Sequence, residues 1–547
     1  MNDTPSQDPV AFPHLSDEQI EQLARLAECA DFADGERLFE QGTRDYPFFV
    51  VKLGEVEIEE HSSGGPRHVT FHGPGQFTGD VDLLTGRTSL VSATARGPVQ
   101  AYRVEAHRLR AVLNELPTLS ELLLEAFQAR RLLLERSQLI GLRVIGGSHC
   151  AEANLLREFL YKNKVPHTFL DIDLDIDAAW LSQHGLSRDS LPAVICNESV
   201  AIQPSLSTLA EHIGIRRQLG DAIYDLIVIG AGPAGLAAAV YGASEGLRTV
   251  VLDRIGPGGQ AGASSKIENY MGFPSGLTGT ELANKGYLQA LKFGAQFSAP
   301  AQVTDITPRP GGGLQVALGD GAALAGEAVL IATGASYRQL AAKGCDRFFN
   351  AGVFSAATSV EARQCCNARA VVIGGGNSAG QAALFLAEHA EHVVLLLRSG
   401  DLRKSMSEYL VHRIEVDRRI DVWLHSELEQ VDGSRLIERA LIRNNRSGDL
   451  QELDCAAVFS FIGARPHTEW VPSAIARDER GFLLTGPDIA DSGAEWTLDR
   501  EPCQLETSQP GVFAAGDVRH GSTKRVAFAV GDGALAVTCV HQVRGRS

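Results

Sequence analysis

Two glycine-rich turns have the residue spacing that binds a dinucleotide. The first follows the apolar run 225–229 and leads into an alanine-rich helix. The first glycine permits a tight turn, the second lets the backbone approach a pyrophosphate, and the third lets helix and strand pack closely. The phosphates would then lie at the helix N-terminus. The turn consists of Gly230, Gly232, Pro233, Ala234 and Gly235.

The next apolar run, 248–252, ends at Asp253. An acidic residue at this point of a dinucleotide fold can bind a ribose 2′-hydroxyl. Strand, glycine turn, helix and acid therefore occur in the order that the fold requires, and together they predict a dinucleotide site.

The second glycine turn has the form GxGxxA and again connects a strand to a helix. Its residues are Gly374, Gly376, Asn377, Ser378 and Ala379. The next strand pattern, 393–397, runs into Arg398, and Arg403 follows shortly after. A cation where the first site has an acid favours a 2′-phosphate, so we expect this site to prefer NADPH over NADH.

Two α/β units must position these turns, because apolar strands and helices alternate twice from residue 224 onward. Each unit would place its glycine turn at the carboxyl end of its first strand. Two dinucleotide sites in one chain predict an electron relay, in which a nicotinamide delivers hydride to a tightly held flavin.

Charge and composition exclude several other classes of protein. The chain has 547 residues, with 50 Lys and Arg against 67 Asp and Glu, giving a net charge of −17. This acidic balance argues against a nucleic-acid or anionic-membrane partner. Nine cysteines are too few for a disulfide scaffold, and none has metal-ligand spacing. The first residues lack the pattern of a signal peptide, so we expect a cytoplasmic protein without a metal.

Residues 222–547 resemble the low-molecular-weight thioredoxin reductase family. The motifs that carry the resemblance are Gly258–Gly262, Ser264–Tyr270, Ile331–Gly334 and Gly511–Val518. The resemblance implies FAD in the first site and NADPH in the second. It also implies that FAD is contacted by Gly259, Gln260, Asn269, Thr333, Gly334, Gly516, Asp517, Arg525 and Ala527.

The chain departs from this family at the redox-active dithiol. The family carries the run G-V-x-x-C-A-T-C, whereas residues 352–359 here have Ala356 and Ser359 at the two cysteine positions. Alanine forms no thiolate, and the serine hydroxyl has no accessible redox couple. The usual relay from flavin through a dithiol therefore cannot use this site. The adjacent Cys365 and Cys366 are either a redox pair or plain residues near a helix end.

Four further thiols lack a CxxC partner, and we expect them to be small buried residues. They are Cys345, Cys455, Cys503 and Cys539.

Residues 140–218 resemble a glutaredoxin- or thioredoxin-like domain. The pattern predicts a strand at 142–146, a helix at 151–162 and a cis peptide bond before Pro192. Cys150 occupies the position of the CxxC motif of such folds. A thiol at a helix N-terminus can have a lowered pKa, so Cys150 is either a catalytic or sensing thiol or part of a degenerate adaptor domain.

Residues 1–139 resemble the cyclic nucleotide-binding family, which implies a β-roll. The carrying motifs are Asp34–Glu36, Gln41–Gly42 and Gly54–Val56, followed by the phosphate cassette Gly75–Leu84. Asp80 matches the acid that binds ribose in that family. Ser89 replaces the arginine that binds the cyclic phosphate, and Arg87 lies two residues earlier. The domain is therefore either a cyclic-nucleotide site or an interaction and dimerisation module.

Helical periodicity in this N-terminal region predicts two helices, one over residues 15–30 and a long one over residues 109–139. The second helix would bury Leu132, Leu133 and Leu134 on its inner side.

The predicted fold class is therefore multidomain: a β-roll with helices, a small thioredoxin-like α/β domain, and two Rossmann-like nucleotide-binding domains. We expect boundaries at 1–139, 140–218, 219–342 with 464–547 for a split FAD domain, and 343–463 for the NADPH domain.

The predicted activity is that of an FAD-dependent NADPH oxidoreductase, acting as a homodimer on a small redox protein or small-molecule acceptor. One alternative is a dithiol-free reductase of ferredoxin or quinone, similar to ferredoxin–NADP reductases. Another is a regulatory protein that senses redox state or a nucleotide.

Overall fold

The structure is a computed structural model. It describes residues 8–545 except 63–64, 138–141, 149, 177, 197–198, 217–218, 220–221, 265, 339, 350–351, 356, 358 and 435.

The N-terminal part folds as a β-roll whose strands pair antiparallel in the order β1-β5-β3-β4, with β2 also on β5. Its strands are β1 (Glu28–Phe32), β2 (Arg37–Phe39), β3 (Phe48–Ser62), β4 (Gly65–His72) and β5 (Ser92–Val104). Its helices are α1 (Asp17–Ala24), α2 (Asp82–Thr85), α3 (Ala106–Glu115) and α4 (Pro117–Ser137).

The helix predictions in this region were partly wrong. The helix α1 ends at Ala24, and residues 28–30 belong to β1 because they pair with β5. The predicted long helix is two helices, since Pro117 cannot continue α3 and begins α4 instead. Leu132 is 39% exposed, and the buried positions of this turn of α4 are Arg130 and Arg131.

The second part is a four-stranded sheet in the order β7-β6-β8-β9, where β6 and β7 are parallel and the other pairs antiparallel. The predicted cis peptide bond between Leu191 and Pro192 is present. The elements are β6 (Leu142–Gly146), α5 (Ala151–Lys162), β7 (Thr168–Asp171), α6 (Ala178–Gln183), β8 (Ala193–Cys196), β9 (Ser199–Ile202) and α7 (Leu206–His212).

The first large α/β unit is built on the sheet β12-β11-β10-β15-β14-β13, in which β26 also pairs with β15. Because β26 follows the second unit in the chain, the first unit is split. Its elements are β10 (Tyr224–Ile229), α8 (Pro233–Ser244), β11 (Thr249–Leu252), α9 (Gly279–Phe293), β12 (Gln296–Ser298), β13 (Val303–Pro308), β14 (Leu314–Leu318), β15 (Ala323–Ile331), α13 (Asp488–Asp491), β26 (Val512–Ala514) and α14 (Val526–Arg544).

The second unit has the parallel sheet β17-β24-β18-β19-β20 and the antiparallel sheet β21-β22-β23. The strand β16 (Ala335–Tyr337) pairs with β25 (Ala464–Pro466) where the chain passes between the units. The remaining elements are β17 (Val353–Phe354), α10 (Ser359–Ala362), β18 (Arg369–Ile373), α11 (Asn377–Leu386), β19 (His392–Leu396), α12 (Glu408–Val416), β20 (Ile420–Trp423), β21 (Ser426–Asp432), β22 (Arg439–Asn444), β23 (Leu450–Asp454) and β24 (Ala457–Ser460).

The β-roll is docked on the first α/β unit through a shared apolar core. Tyr287, Leu288 and Leu291 of α9, with Leu236 of α8, belong to the same buried cluster as the core of the roll. An apolar interface of this kind opposes relative motion of the two parts.

The last helix, α14, is long and apolar enough by composition to cross a bilayer. It also packs closely on α8, because a Cβ at Gly533 would lie 2.1 Å from the carbonyl oxygen of Ala234.

Candidate functional site

The first glycine turn connects β10 to α8 through two contacts that exclude a side chain. Gly230 has φ +105°, and a Cβ there would lie 2.4 Å from the carbonyl oxygen of Ala332. A Cβ at Gly235 would lie 1.9 Å from the carbonyl oxygen of Gly230. The helix therefore starts directly against the strand end, as a dinucleotide turn requires.

Glycine-bearing loops converge at the N-terminus of α8. Gly232 is the N-cap, and Pro233 follows at the first helical position. A Cβ at Gly259 would approach Gly232 Cα to 2.8 Å, and one at Gly516 would approach Ala234 Cβ to 3.0 Å. Backbone of two other loops thus lies close to the start of α8, where the free amides of a helix N-terminus can bind a pyrophosphate.

Asp253, which directly follows β11, accepts backbone hydrogen bonds from the glycine turn and from its own loop. Its Oδ2 accepts a hydrogen bond from Ala231 N at 2.8 Å, and its Oδ1 accepts from Ile255 N at 2.9 Å and Gly256 N at 2.8 Å. A carboxylate offers about four lone-pair sites. Beyond these described contacts, one lone-pair site of Asp253 can therefore accept a further hydrogen bond.

The other residues assigned to FAD belong to the same unit, most of them on its loops, with Arg525 and Ala527 at the start of α14. The Gln260 amide donates to the carbonyl of Ala335, and Thr333 Oγ1 donates to the carbonyl of His467 at 3.0 Å. Burial raises the pKa of the Asp517 carboxyl, and the positive charge of Lys524 acts in the opposite direction. Gly334 has a positive φ of +67°. Three of the residues assigned to FAD are exposed, namely Asn269, Arg525 and Ala527.

The second glycine turn repeats this geometry between β18 and α11. Gly374 has φ +143°, and a Cβ there would lie 2.6 Å from the carbonyl oxygen of Phe461. Gly376 is the N-cap of α11, and a Cβ there would meet nothing within 4 Å. The helix begins with Asn377, Ser378 and the buried Ala379. The side-chain amide of Asn377 donates a hydrogen bond to Ser407 Oγ at 2.9 Å. The side-chain oxygen of Asn377 accepts one from Ser407 N at 2.7 Å.

The two cations after β19 differ in their surroundings. Arg398 is exposed, and no ion pair of its side chain occurs within the described ranges. Arg403 is bound to Glu415 at 2.8 and 3.0 Å and lies 3.4 Å from Glu408. The sequence predicted the same phosphate-binding role for both arginines. The fold shows that Arg403 already forms ion pairs with Glu415 and Glu408.

The positions of the family dithiol are only partly described. Ala356 lies outside the described residues, and Ser359 begins the short helix α10. Cys365 is buried and Cys366 is exposed, and both are free thiols. Burial raises the pKa of Cys365 to about 11, which opposes a thiolate nucleophile.

Cys150 does not have the lowered pKa expected of a thiol at a helix N-terminus. It is the N-cap of α5, and its Sγ donates to Glu152 Oε2 at 3.2 Å. Burial raises the pKa of the thiol, and the carboxylate of Glu152 adds to this effect. The acidic neighbour and burial therefore override the helix terminus.

The expectation for the last two unpaired thiols was wrong in part. Cys503 is half-buried, and its Sγ donates to Gln542 Oε1 of α14 at 3.0 Å. Burial raises the pKa of Cys539 to about 12. The sequence carries no signal for the contact of Cys503, because the thiol lies on a loop and its acceptor lies on α14.

In the N-terminal part, the residues matched to a cyclic-nucleotide site have other partners. Asp80 and Asp82 each lie 2.6 Å from Arg131 Nη2. Arg87 does not turn toward a cyclic phosphate, because its guanidinium donates to Asn163 in the second part. The buried Ser89 Oγ donates to the carbonyl of Val91 at 2.6 Å.

A chain of contacts joins this cassette to the first glycine site. The Asn163 amide, which accepts from Arg87, donates to the carbonyl of Ile255 at 2.6 Å, and Ile255 N donates to Asp253. A cavity of about 20 Å³ beside Asp253 is lined by Arg87 and Asn163 as well. Sequence reasoning missed this chain, because three separate parts of the fold contribute to it.

Two glycine turns, each following a strand with parallel neighbours, lie in two units of which one is inserted into the other. This arrangement defines a two-dinucleotide redox protein. Residues 224–533 match the pyridine nucleotide-disulphide oxidoreductase family, which is more than half of the chain, and residues 30–115 match the cyclic nucleotide-binding domain. The chain belongs to the pyridine nucleotide-disulphide oxidoreductase family. It is an NADPH-dependent flavoprotein oxidoreductase, and its thioredoxin reductase relatives use FAD and NADPH.

The relatives cover the C-terminal part of the chain. A thioredoxin reductase of Treponema pallidum is 36% identical over 313 residues, covering 57% of this chain and 94% of the relative. One of Listeria innocua is 32% identical over 318 residues, covering 58% and 92%.

Two solved structures show the same fold. The thioredoxin reductase of Lactococcus lactis, in its FR conformation, has a TM-score of 0.53 and 29% identity and covers 59% of this chain and all (100%) of its own. That of T. acidophilum has a TM-score of 0.53 and 27% identity and covers 59% and 99%.

Proposed function

We propose that this chain passes electrons from NADPH through FAD to an acceptor without the dithiol of its relatives. The observation that carries the proposal is the pair of complete glycine turns combined with alanine and serine at the two cysteine positions, Ala356 and Ser359. When bound, NADPH supplies a hydride and FAD accepts it.

The residues of this chain bind and orient the two cofactors. The first glycine turn and Asp253 would hold FAD, and the second glycine turn would hold the pyrophosphate of NADPH at the start of α11. No side chain needs to donate or remove a proton for hydride transfer, so positioning is the main contribution of the protein.

We assign the acceptor to a small quinone or another small redox carrier, with a small redox protein as the second candidate. The assignment is supported by the raised pKa values of Cys150 and Cys365, since thiols that stay protonated relay electrons poorly to a disulfide. The split FAD domain (219–342 and 464–547), the NADPH domain (343–463), a cytoplasmic homodimer and a thioredoxin-like adaptor at 140–218 belong to the same proposal.

The proposed acceptor predicts that NADPH-dependent reduction of a quinone does not require the thiols of Cys150, Cys365 and Cys366. The triple variant Cys150→Ser, Cys365→Ala, Cys366→Ser should keep the wild-type rate of NADPH-dependent menadione reduction, because no electron passes through these side chains. Oxidised thioredoxin should be a poor acceptor for the wild type. The control is Cys29→Ser, an exposed thiol in the β-roll. Loss of menadione reduction in the triple variant alone, at unchanged FAD content, would place a thiol in the relay.

Arg398, rather than Arg403, should select the cofactor. Arg398→Met should lower kcat/KM for NADPH by about 10–100-fold, because a phosphate contact is charge-assisted, and should leave NADH almost unchanged. Arg403→Met should change it by less than about fivefold, since Arg403 already pairs with Glu415 and Glu408 on the exposed surface. Steady-state kinetics with both nucleotides measures this, and equal effects of the two variants would refute the assignment.

A further inference from the structure

An apolar cavity lies between the sheet of the β-roll and helix α4. Its volume is about 70 Å³, and Ile58, Val69 and Leu133 are among its apolar lining residues. Two polar residues of the same lining, His72 and Arg130, are almost completely buried, with 2% and 6% exposure.

Arg130 is a buried cation that makes no ion pair with a carboxylate within the described residues. Asp80 also lines the cavity and its charge acts on Arg130, but the ion pair of Asp80 is with Arg131. Its Nε donates to the carbonyl of Ala11 at 2.7 Å and its Nη1 to that of Gly79 at 2.8 Å. Its Nη2 is buried without a hydrogen-bond partner. The neighbouring Arg131, by contrast, has two carboxylates at 2.6 Å. A buried charge is costly unless an opposite charge or hydrogen bonds compensate it, so Arg130 favours an anion.

His72 adds a second polar atom to this end of the cavity. Its Nδ1 is buried and has no hydrogen-bond partner. Burial is the main cause that holds the pKa of His72 well below its ordinary value, and the positive charge of Arg130 adds to this effect. The imidazole is therefore neutral. A neutral imidazole can donate one N–H to an anion, depending on its tautomer.

The cavity is poorly suited to a cyclic nucleotide. The position of the phosphate-binding arginine is Ser89, whose hydroxyl is bound to the carbonyl of Val91. Asp80, the counterpart of the ribose-binding acid, is paired with Arg131. A ribose cyclic phosphate would therefore meet neither of the two groups that its family uses.

We propose that the cavity binds an apolar monocarboxylate, whose carboxylate accepts hydrogen bonds from Arg130 and His72. The hydrocarbon part contacts the apolar lining, and the negative charge compensates the buried guanidinium. The ligand class is a short- or medium-chain carboxylic acid, and the binding is independent of NADPH oxidation.

Calorimetry on the full-length FAD-loaded protein tests this proposal with octanoate as the probe. Octanoate should bind at one site, and octanol, which has the same chain without the charge, should bind at least about tenfold more weakly. Cyclic AMP should give no binding heat. Arg130→Met should weaken octanoate by about tenfold or more, whereas Arg108→Met, a change on the exposed face of α3, should have no effect.

A cavity-filling variant, Val91→Trp, tests the location without removing the cation, and it should abolish binding of both octanoate and octanol. FAD content and circular dichroism establish that each variant is folded. Equal affinity for octanoate and octanol, binding that survives Val91→Trp, or binding of cyclic AMP but not octanoate would each overturn the proposal.

Discussion

Replacement of Gly235 by alanine should abolish stable FAD binding. The new methyl group would lie 1.9 Å from the carbonyl oxygen of Gly230, which is backbone and cannot rotate away. Overpacking typically costs about 1–3 kcal/mol, and here relief requires α8 to move from β10, which opens the site itself. We expect an FAD dissociation constant at least about tenfold higher and protein that purifies largely without flavin.

The matched control is Gly286→Ala in α9 of the same unit. A Cβ at Gly286 would meet its nearest neighbour, Leu236 Cβ, at 3.7 Å, which is ordinary contact. Both substitutions gain about 1 kcal/mol of helix propensity, so propensity alone predicts that both stabilise. Retention of FAD by the Gly235 variant, measured by absorbance after gel filtration, would contradict the turn geometry.

Replacement of Arg131 by methionine should destabilise the β-roll by about 3–5 kcal/mol near pH 8, because it leaves Asp80 and Asp82 buried without their cation. Burial raises the pKa of Asp80 to about 6 even with Arg131 in place. A carboxyl with a raised folded-state pKa favours folding when protonated, and this contribution is lost as the pH rises through about 6. The penalty of the variant should therefore be smaller at pH 5 than at pH 8.

Thermal unfolding of wild type and variant at the two pH values measures this effect. The triple variant Arg131→Met, Asp80→Asn, Asp82→Asn should recover most of the lost stability, because it removes the stranded charges as well. Arg108→Met serves as the exposed control. A penalty that is the same at both pH values, or that the triple variant does not relieve, would show that the ion pairs are not its source.

Local patterns predicted the parts of the fold that depend on backbone geometry. The strand at Leu142–Gly146 and the helix at Ala151–Lys162 have the predicted bounds, because each is a short element bounded by turn residues. The two glycine turns were equally visible, since only glycine tolerates the contacts at Gly230 and Gly235. Such constraints act between residues close in the chain.

Contacts between distant elements could not be predicted in the same way. The prediction that three consecutive leucines of α4 face inward was wrong for Leu132, which is 39% exposed, whereas Leu134 packs against the core. The buried position next to Leu132 is taken by Arg131, because Asp80 and Asp82, far away in sequence, pair with it. The helix N-terminus at Cys150 predicted a lowered pKa, but burial and Glu152 reverse it. Charge pairing and burial thus depend on the tertiary fold rather than on local spacing.

Electrons should leave the flavin without an intervening dithiol, and an anaerobic titration with NADPH tests this most directly. NADPH carries two electrons, and FAD accepts two. If no disulfide shares them, the visible absorbance of oxidised FAD should be lost completely after one NADPH per flavin. A requirement for two NADPH per flavin would reveal a second two-electron acceptor in the chain, and a flavin that stays oxidised would contradict NADPH-dependent reduction altogether.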